Sequence, residues 1–253
     1  MRLSEIINII ESVAPLKWQE EWDNSGLQVG NRNADIHAAL LTTDITESVV
    51  AEAIELHCDL IISHHPLLFH GLKTICGNTP QERIVALAIE HHIAIYSSHT
   101  AMDNYLHGVS GRMAEKLGLQ NYRLLAGDEY GLGAIGQLSA PMPFDHFLDL
   151  VKRTFNTTYI RYVAPKQPLV QTIALCGGAG AEFVNEAIAQ KADVYLSADF
   201  KYHEFLDAVG QIGIVDIDHW VSEHYTRDIY KELLSDHLTT YISQADNTPV
   251  KLF

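Results

Sequence analysis

Three stretches place imidazoles beside carboxylates: Ser63-His64-His65-Pro66, His99-Thr100-Ala101-Met102-Asp103, and Asp218-His219-Trp220-Val221-Ser222-Glu223. Both groups bind divalent transition metals and both can carry a proton. His219 and Glu223 are four residues apart, the spacing that stacks two side chains on one helix face. Asp103 is likewise four beyond His99. Neighbours on a strand point to opposite faces, so His64 and His65 share a ligand only where the chain bends past the paired register. Pro66 holds His65 extended at that point.

His64, His65, Asp103, His219 and Glu223 make three imidazoles and two carboxylates. One metal takes three or four protein ligands. With one carboxylate bridging, the five residues give each of two ions three ligands and open positions, the catalytic pattern. Mixed ligation of this kind suits Zn, Mn, Fe, Co or Ni rather than Ca or Mg alone. Two such ions bring about +4 against −2, a local focus for a small anionic substrate, and lower the pKa of a bound water toward ~7. His99 and His203 are candidates for shuttling protons next to them.

Each cluster alone has an ordinary explanation. His219 with Glu223 describes a solvated helix face, and His91-His92 a favourable helix C-terminus. His37, His57 and His237 read as surface residues. The run Cys176-Gly177-Gly178-Ala179-Gly180 offers backbone N–H groups of Gly177 and Gly178 to a phosphate, or else allows a strand and a helix to pack closely. It lacks the spacing of a Walker motif. What favours a metal is that all three clusters directly follow a strand pattern, the end of an α/β sheet where ligands bind.

The elements that must position these residues follow from periodicity. Leu3, Ile6, Ile7, Ile10 and Val13 mark a helix that Pro15 stops. Strand patterns cover Leu27 to Val29, Ala38 to Thr43, Leu60 to Ser63 and Ile93 to Tyr96. Between them lie helices from Glu47 to Leu56 and from Thr79-Pro80-Gln81-Glu82, a capping box, to about Glu90. This alternation predicts parallel βαβ units rather than a meander. The middle holds a strand around Ala134 to Ser139, a helix from Phe144 to Thr154 and a strand near Tyr159 to Val163. Strands at Thr172 to Cys176, Asp193 to Ser197 and Ile212 to Ile217 then alternate with helices at Glu182 to Gln190 and Tyr202 to Val209. A last helix runs from Trp220 to about His237, and Tyr241 to Phe253 is extended. A βαβ half at each end suggests approximate lobes 1–125 and 126–253.

The 253 residues carry 17 basic and 32 acidic side chains, a net charge of −15 with histidine neutral. That balance excludes a sequence-blind nucleic-acid binder driven by charge. At 47% hydrophobic and 19% charged residues the chain is no disordered tail. Three cysteines without a C-x-x-C make neither a disulfide framework nor a thiolate zinc site. The N-terminal helix is broken by Glu5 and Glu11, unlike a signal peptide, and no run of 18 apolar residues spans a membrane. A cytoplasmic protein is expected.

The segment Asp23-Asn24-Ser25-Gly26-Leu27-Gln28-Val29-Gly30 resembles the N-terminal signature of the NIF-three-like family, the type 2 homologues of GTP cyclohydrolase I. Ser63 to Pro66, His99 to Asp103, Cys176-Gly177-Gly178, Asp199-Phe200-Lys201-Tyr202-His203 and His219 to Glu223 match in kind and order. The resemblance implies a two-lobed α/β fold with a dinuclear metal site between the lobes, ligated by His64, His65, Asp103, His219 and Glu223. It also implies a toroidal homohexamer and a metal-dependent hydrolase opening the purine ring of GTP. A phosphoester hydrolase, or a ring protein that binds metal, nucleotide or partner without turnover, remains open. Asp218 departs from the glycine that relatives often carry before the histidine.

Overall fold

The structure is a computed structural model that describes residues 1–251. Leu252 and Phe253, the end of the expected extended tail, lie outside the described residues. The chain forms two compact units, Met1–Met102 with the residues from His224 onward, and Asp103–Glu223.

In the first unit, α1 (Leu3–Val13) buries Leu3, Ile6, Ile7 and Ile10 on a single stripe. There follow β1 (Gly26–Val29), β2 (Ala38–Thr42), α2 (Glu47–Glu55), β3 (Leu60–Ser63), α3 (Pro80–Glu90), β4 (Ala94–Ser97) and α4 (His99–Asp103). Thr46 and Thr79 cap α2 and α3 by accepting the N–H of Val49 and Glu82. Strands β2, β3 and β4 are parallel, with Leu41, Ile62 and Tyr96 in register. Every residue of the three is buried, as strands covered on both faces must be. Leu40, Val50, Ile61, Ile84 and Ile95 are at the heart of one core cluster. β1 lies antiparallel to β4, at the sheet edge.

The second unit contains α5 (Val109–Lys116), β5 (Gln120–Leu124), β6 (Ala134–Pro143), α6 (Phe144–Phe155), β7 (Arg161–Val163), β8 (Leu169–Leu175), α7 (Val184–Ala189), β9 (Val194–Ser197), α8 (Tyr202–Ala208), β10 (Gly213–Asp216) and α9 (His219–Glu223). Its sheet runs β5-β6-β8-β9-β10-β7. Strands β8, β9 and β10 are parallel, while β5, β6 and β7 join antiparallel. Parallel βαβ units therefore make the centre of each sheet, and antiparallel strands extend it. The sequence pattern missed α5 and β5, whose strand is mostly exposed and carries no apolar run.

The chain then returns to the first unit as α10 (Thr226–Leu234) and β11 (Thr239–Ile242). The expected helix from Trp220 to His237 is thus interrupted, because Arg227 N–H bonds to His224 O in a tighter step than an α-helix makes. β11 pairs parallel with β2, Tyr241 opposite Leu40, completing the order β1-β4-β3-β2-β11. Tyr230 on α10 is fully buried and donates its hydroxyl to Ser63 O at 3.3 Å. Among the described residues no helix is long and apolar enough to cross a membrane.

Candidate metal centre

In the first unit the site begins where β3 ends. Past Ser63, His64 N–H and His65 N–H still bond to Thr42 O and Thr43 O, while Ser63 Oγ donates to His65 O at 2.7 Å. This turned backbone brings the rings of the adjacent histidines to 4.9 Å, centroid to centroid. His99, at the start of α4, lies 5.4 Å from the His64 ring and 5.3 Å from the His65 ring. One ring nitrogen from each of the three lies within 4.8 Å of the others, a group that could hold a metal ion. His64 is fully buried.

Two of these rings are oriented by carboxylates. His65 Nδ1 lies 2.8 Å from Asp44 Oδ1, and His99 Nδ1 lies 2.8 Å from Asp23 Oδ1. Asp23 Oδ2 accepts the Thr100 hydroxyl at 2.6 Å, the Thr100 N–H at 3.1 Å and the Ser25 hydroxyl at 2.8 Å. Burial works to raise the Asp23 pKa, but the bonds from His99, Thr100 and Ser25 outweigh it and hold the carboxyl well below its usual range. An imidazole that gives Nδ1–H to a carboxylate presents Nε2 as its ligand atom in a fixed direction.

The second unit repeats this device. His219 Nδ1 lies 2.7 Å from Asp199 Oδ2, and its Nε2 lies 2.9 Å from Glu223 Oε2, one turn along α9. Burial disfavours the imidazolium, yet the bonds to Asp199 and Glu223 push His219 up to about 11. The His219 bond in turn lowers the Asp199 pKa against the effect of burial. Asp218 Oδ1 accepts Val221 N–H at 3.2 Å, so it caps the turn bearing His219 and Glu223. Asp103 closes α4, one turn after His99.

Gly177 and Gly178 serve the His219–Glu223 pair by leaving room. A Cβ on Gly178 would lie 2.0 Å from Glu223 Oε1 and 3.3 Å from His219 Cε1, and one on Gly177 would lie 2.4 Å from Val109 Cγ1. Their N–H groups are committed to Ser222 Oγ at 2.8 Å and Ser110 Oγ at 3.3 Å. Both glycines thus allow close packing, and both N–H groups have a serine partner. Burial, then the charge of Asp103, pushes Cys176 up to about 12, so it stays a thiol and does not act as a nucleophile at neutral pH. His203 sits on the exposed first turn of α8, its ring edge-on to Tyr202 at 5.3 Å, rather than in the His219–Glu223 pair.

The donor set suits a transition metal: imidazoles with one nitrogen engaged by a carboxylate, and a carboxylate seated in the space that Gly178 vacates. Asp23 and Asp44 were not singled out for this task by sequence. Each lies in a connection beside a strand, Asp23 shortly before β1 and Asp44 shortly after β2, which is a weak signal alone.

Residues 1–249 match the family described as Duf34/NIF3 (NGG1p interacting factor 3). A Clostridium perfringens protein named "GTP cyclohydrolase 1 type 2 homolog" is 34% identical over 229 residues, covering 88% of this chain and 87% of that one. One of the same name from Streptococcus pneumoniae is 33% identical, covering 95% of this chain and 91% of its own. Among solved structures, a Bacillus cereus protein related to NIF3 superposes with a TM-score of 0.92 at 25% identity, covering 100% of this chain and 99% of that chain. Reduced HcgD from Methanocaldococcus jannaschii gives a TM-score of 0.83 at 29% identity, covering 96% and 98%.

Proposed function

The chain belongs to the Duf34/NIF3 family, and from that premise we propose a metal-dependent hydrolase whose His64, His65, Asp103, His219 and Glu223 hold two divalent ions. Asp103 would contribute a carboxylate to both ions, and Zn, Mn, Fe, Co and Ni would all suit the ligands. Such ions, when bound, supply a water acidic enough to be a nucleophile at neutral pH. The observation that supports this most is the repeated carboxylate–imidazole pair, Asp44 on His65 and Asp199 on His219. The exposed His37 pairs with Asp59 at 3.1 Å in the same way, so the support comes from such pairs on rings that stand beside other candidate ligands, His65 beside His64 and His99, and His219 beside Glu223.

The chain's own residues have distinct tasks in this reading. Asp44 and Asp199 fix which nitrogen of His65 and His219 faces the ions. Asp23 holds His99 at the histidine cluster, where its second nitrogen can take or give a proton. The printed names of the relatives bring GTP as the first substrate to assay. Opening the purine ring adds one water at C8 to give a formamide, and a second water hydrolyses that amide to release formate; cleavage of a phosphoester is the competing hydrolysis. The resemblance brings with it a homohexamer as the working assembly.

Elemental analysis of gently purified, metal-reloaded protein tests the reading. Close to two ions per chain, falling sharply in Asp103→Ala, is the expected result, and fewer than one in the wild type defeats it. A panel of nucleotides and phosphoesters with Mn, Zn and Fe then reads turnover. Metal occupancy with no chelator-sensitive turnover would make the protein a binding module instead.

A further inference from the structure

Two large aromatic side chains stand exposed beside the histidine cluster of the first unit. Trp22 is 59% exposed and Phe69 41%. Their rings are 5.9 Å apart, and they lie 5.9 Å and 6.3 Å from the ring of His99, each edge-to-face. Neither belongs to a regular element, so nothing in the core requires them there.

Their position is nonetheless built. Trp22 precedes Asp23, whose carboxylate is tied to His99, Thr100 and Ser25. Phe69 follows Leu68, whose carbonyl accepts Asn24 Nδ2 at 2.6 Å and whose N–H donates to Gln28 Oε1 at 2.8 Å. Two loops, one from before β1 and one from after β3, are thus stitched together, and each presents an aromatic face. Holding two exposed rings in place costs solvation without a return in the isolated chain, whereas a flat ligand ring recovers it on stacking.

We propose that Trp22 and Phe69 form the specificity rim of the metal centre and stack the planar heteroaromatic ring of the ligand, a nucleobase-like group. This inference rests on the proposed metal reading for its purpose, since it selects a ring-bearing ligand over an aliphatic phosphoester. It rests on the aromatic geometry alone for its existence.

The test uses guanosine, which has a base and no phosphate, and ribose 5-phosphate, which has the reverse. Binding is read by calorimetry and by tryptophan fluorescence on the full chain, metal-loaded and after chelation. Guanosine should quench the wild type and leave Trp22→Phe unquenched while that variant still binds it. Trp22→Ala should weaken guanosine by about fivefold or more, the range of a lost base–aromatic stack, with ribose 5-phosphate unchanged. Equal loss of both ligands overturns the proposal, as does absence of guanosine binding in both metal states. Dissociation of the assembly in Trp22→Phe or Trp22→Ala also overturns it, because a second copy would then cover the rim. Quenching that survives chelation in a protein unable to hold two ions sinks the metal reading and leaves this one standing. Two ions without guanosine binding does the opposite.

Discussion

Gly178 and Glu223 share one space: the Cβ that any other residue would add at position 178 falls 2.0 Å from Glu223 Oε1. Gly178 also has φ +64, a conformation that costs an L-residue roughly 1–2 kcal/mol. Gly178→Ala should therefore lower the melting temperature and displace the Glu223 carboxylate. Metal content measured beside thermal unfolding separates the effects. Loss of stability alone, with full metal occupancy, would show that Glu223 is no ligand.

Asp44 and Asp199 make a paired prediction. Asp44→Asn and Asp199→Asn keep the shape but give up the charge that orients His65 and His219. Loss of such a partner typically weakens metal binding about 10–100-fold. Competition against a chromophoric chelator should show that drop in each variant, with the folded structure retained by circular dichroism. An unchanged affinity in both would leave the carboxylates as mere surface partners.

Glu52, which is bonded to Ser243, Gln244 and Ala245 rather than to a proposed metal ligand, provides a pH test. Burial alone would raise its pKa, but bonds from Gln244 N–H, the Ser243 hydroxyl and Ala245 N–H together lower it from 4.5. A carboxylate with a depressed folded-state pKa contributes stability above its unfolded pKa and loses it as pH falls through the folded one. Melting temperature should thus decline on acidification below about pH 4.5, and Glu52→Gln should flatten that decline while lowering stability at pH 7. A variant with the same acid slope as the wild type would assign the slope to other groups.

Sequence made visible what depends on local spacing. His219 and Glu223 do share one helical turn, and His64-His65 does sit just past a strand end; the four-residue spacing of His99 and Asp103 left their helix undecided until the structure gave α4. The α/β alternation correctly gave the parallel centres of both sheets. Relationships that span the chain were hidden. Asp23 reaches His99 across 76 positions and Glu52 reaches Ser243 across 191, and no periodicity encodes either. The antiparallel strands β1, β5 and β7 have too few apolar residues, or too little length, to betray their partners. Two glycines after a strand do not announce that Ser110 and Ser222, 67 and 44 positions away, partner their N–H groups.

Asp218 stands directly before His219, and its geometry says what its carboxylate does. Its Oδ1 accepts Val221 N–H at 3.2 Å, and its backbone carbonyl accepts Ser222 N–H, so side chain and backbone both serve the first turn of α9. That turn has only five residues to align His219 with Glu223. A lost side-chain cap costs about 1 kcal/mol, which a helix this short has little packing to absorb. Asp218→Ala should therefore lower stability modestly and loosen the metal centre, whereas Asp218→Asn, which still offers an oxygen to Val221, should keep both near wild type. Calorimetric metal titration of the two variants decides the matter. Equal weakening in Asn and Ala would mean that the negative charge, and not the cap, is what the site uses.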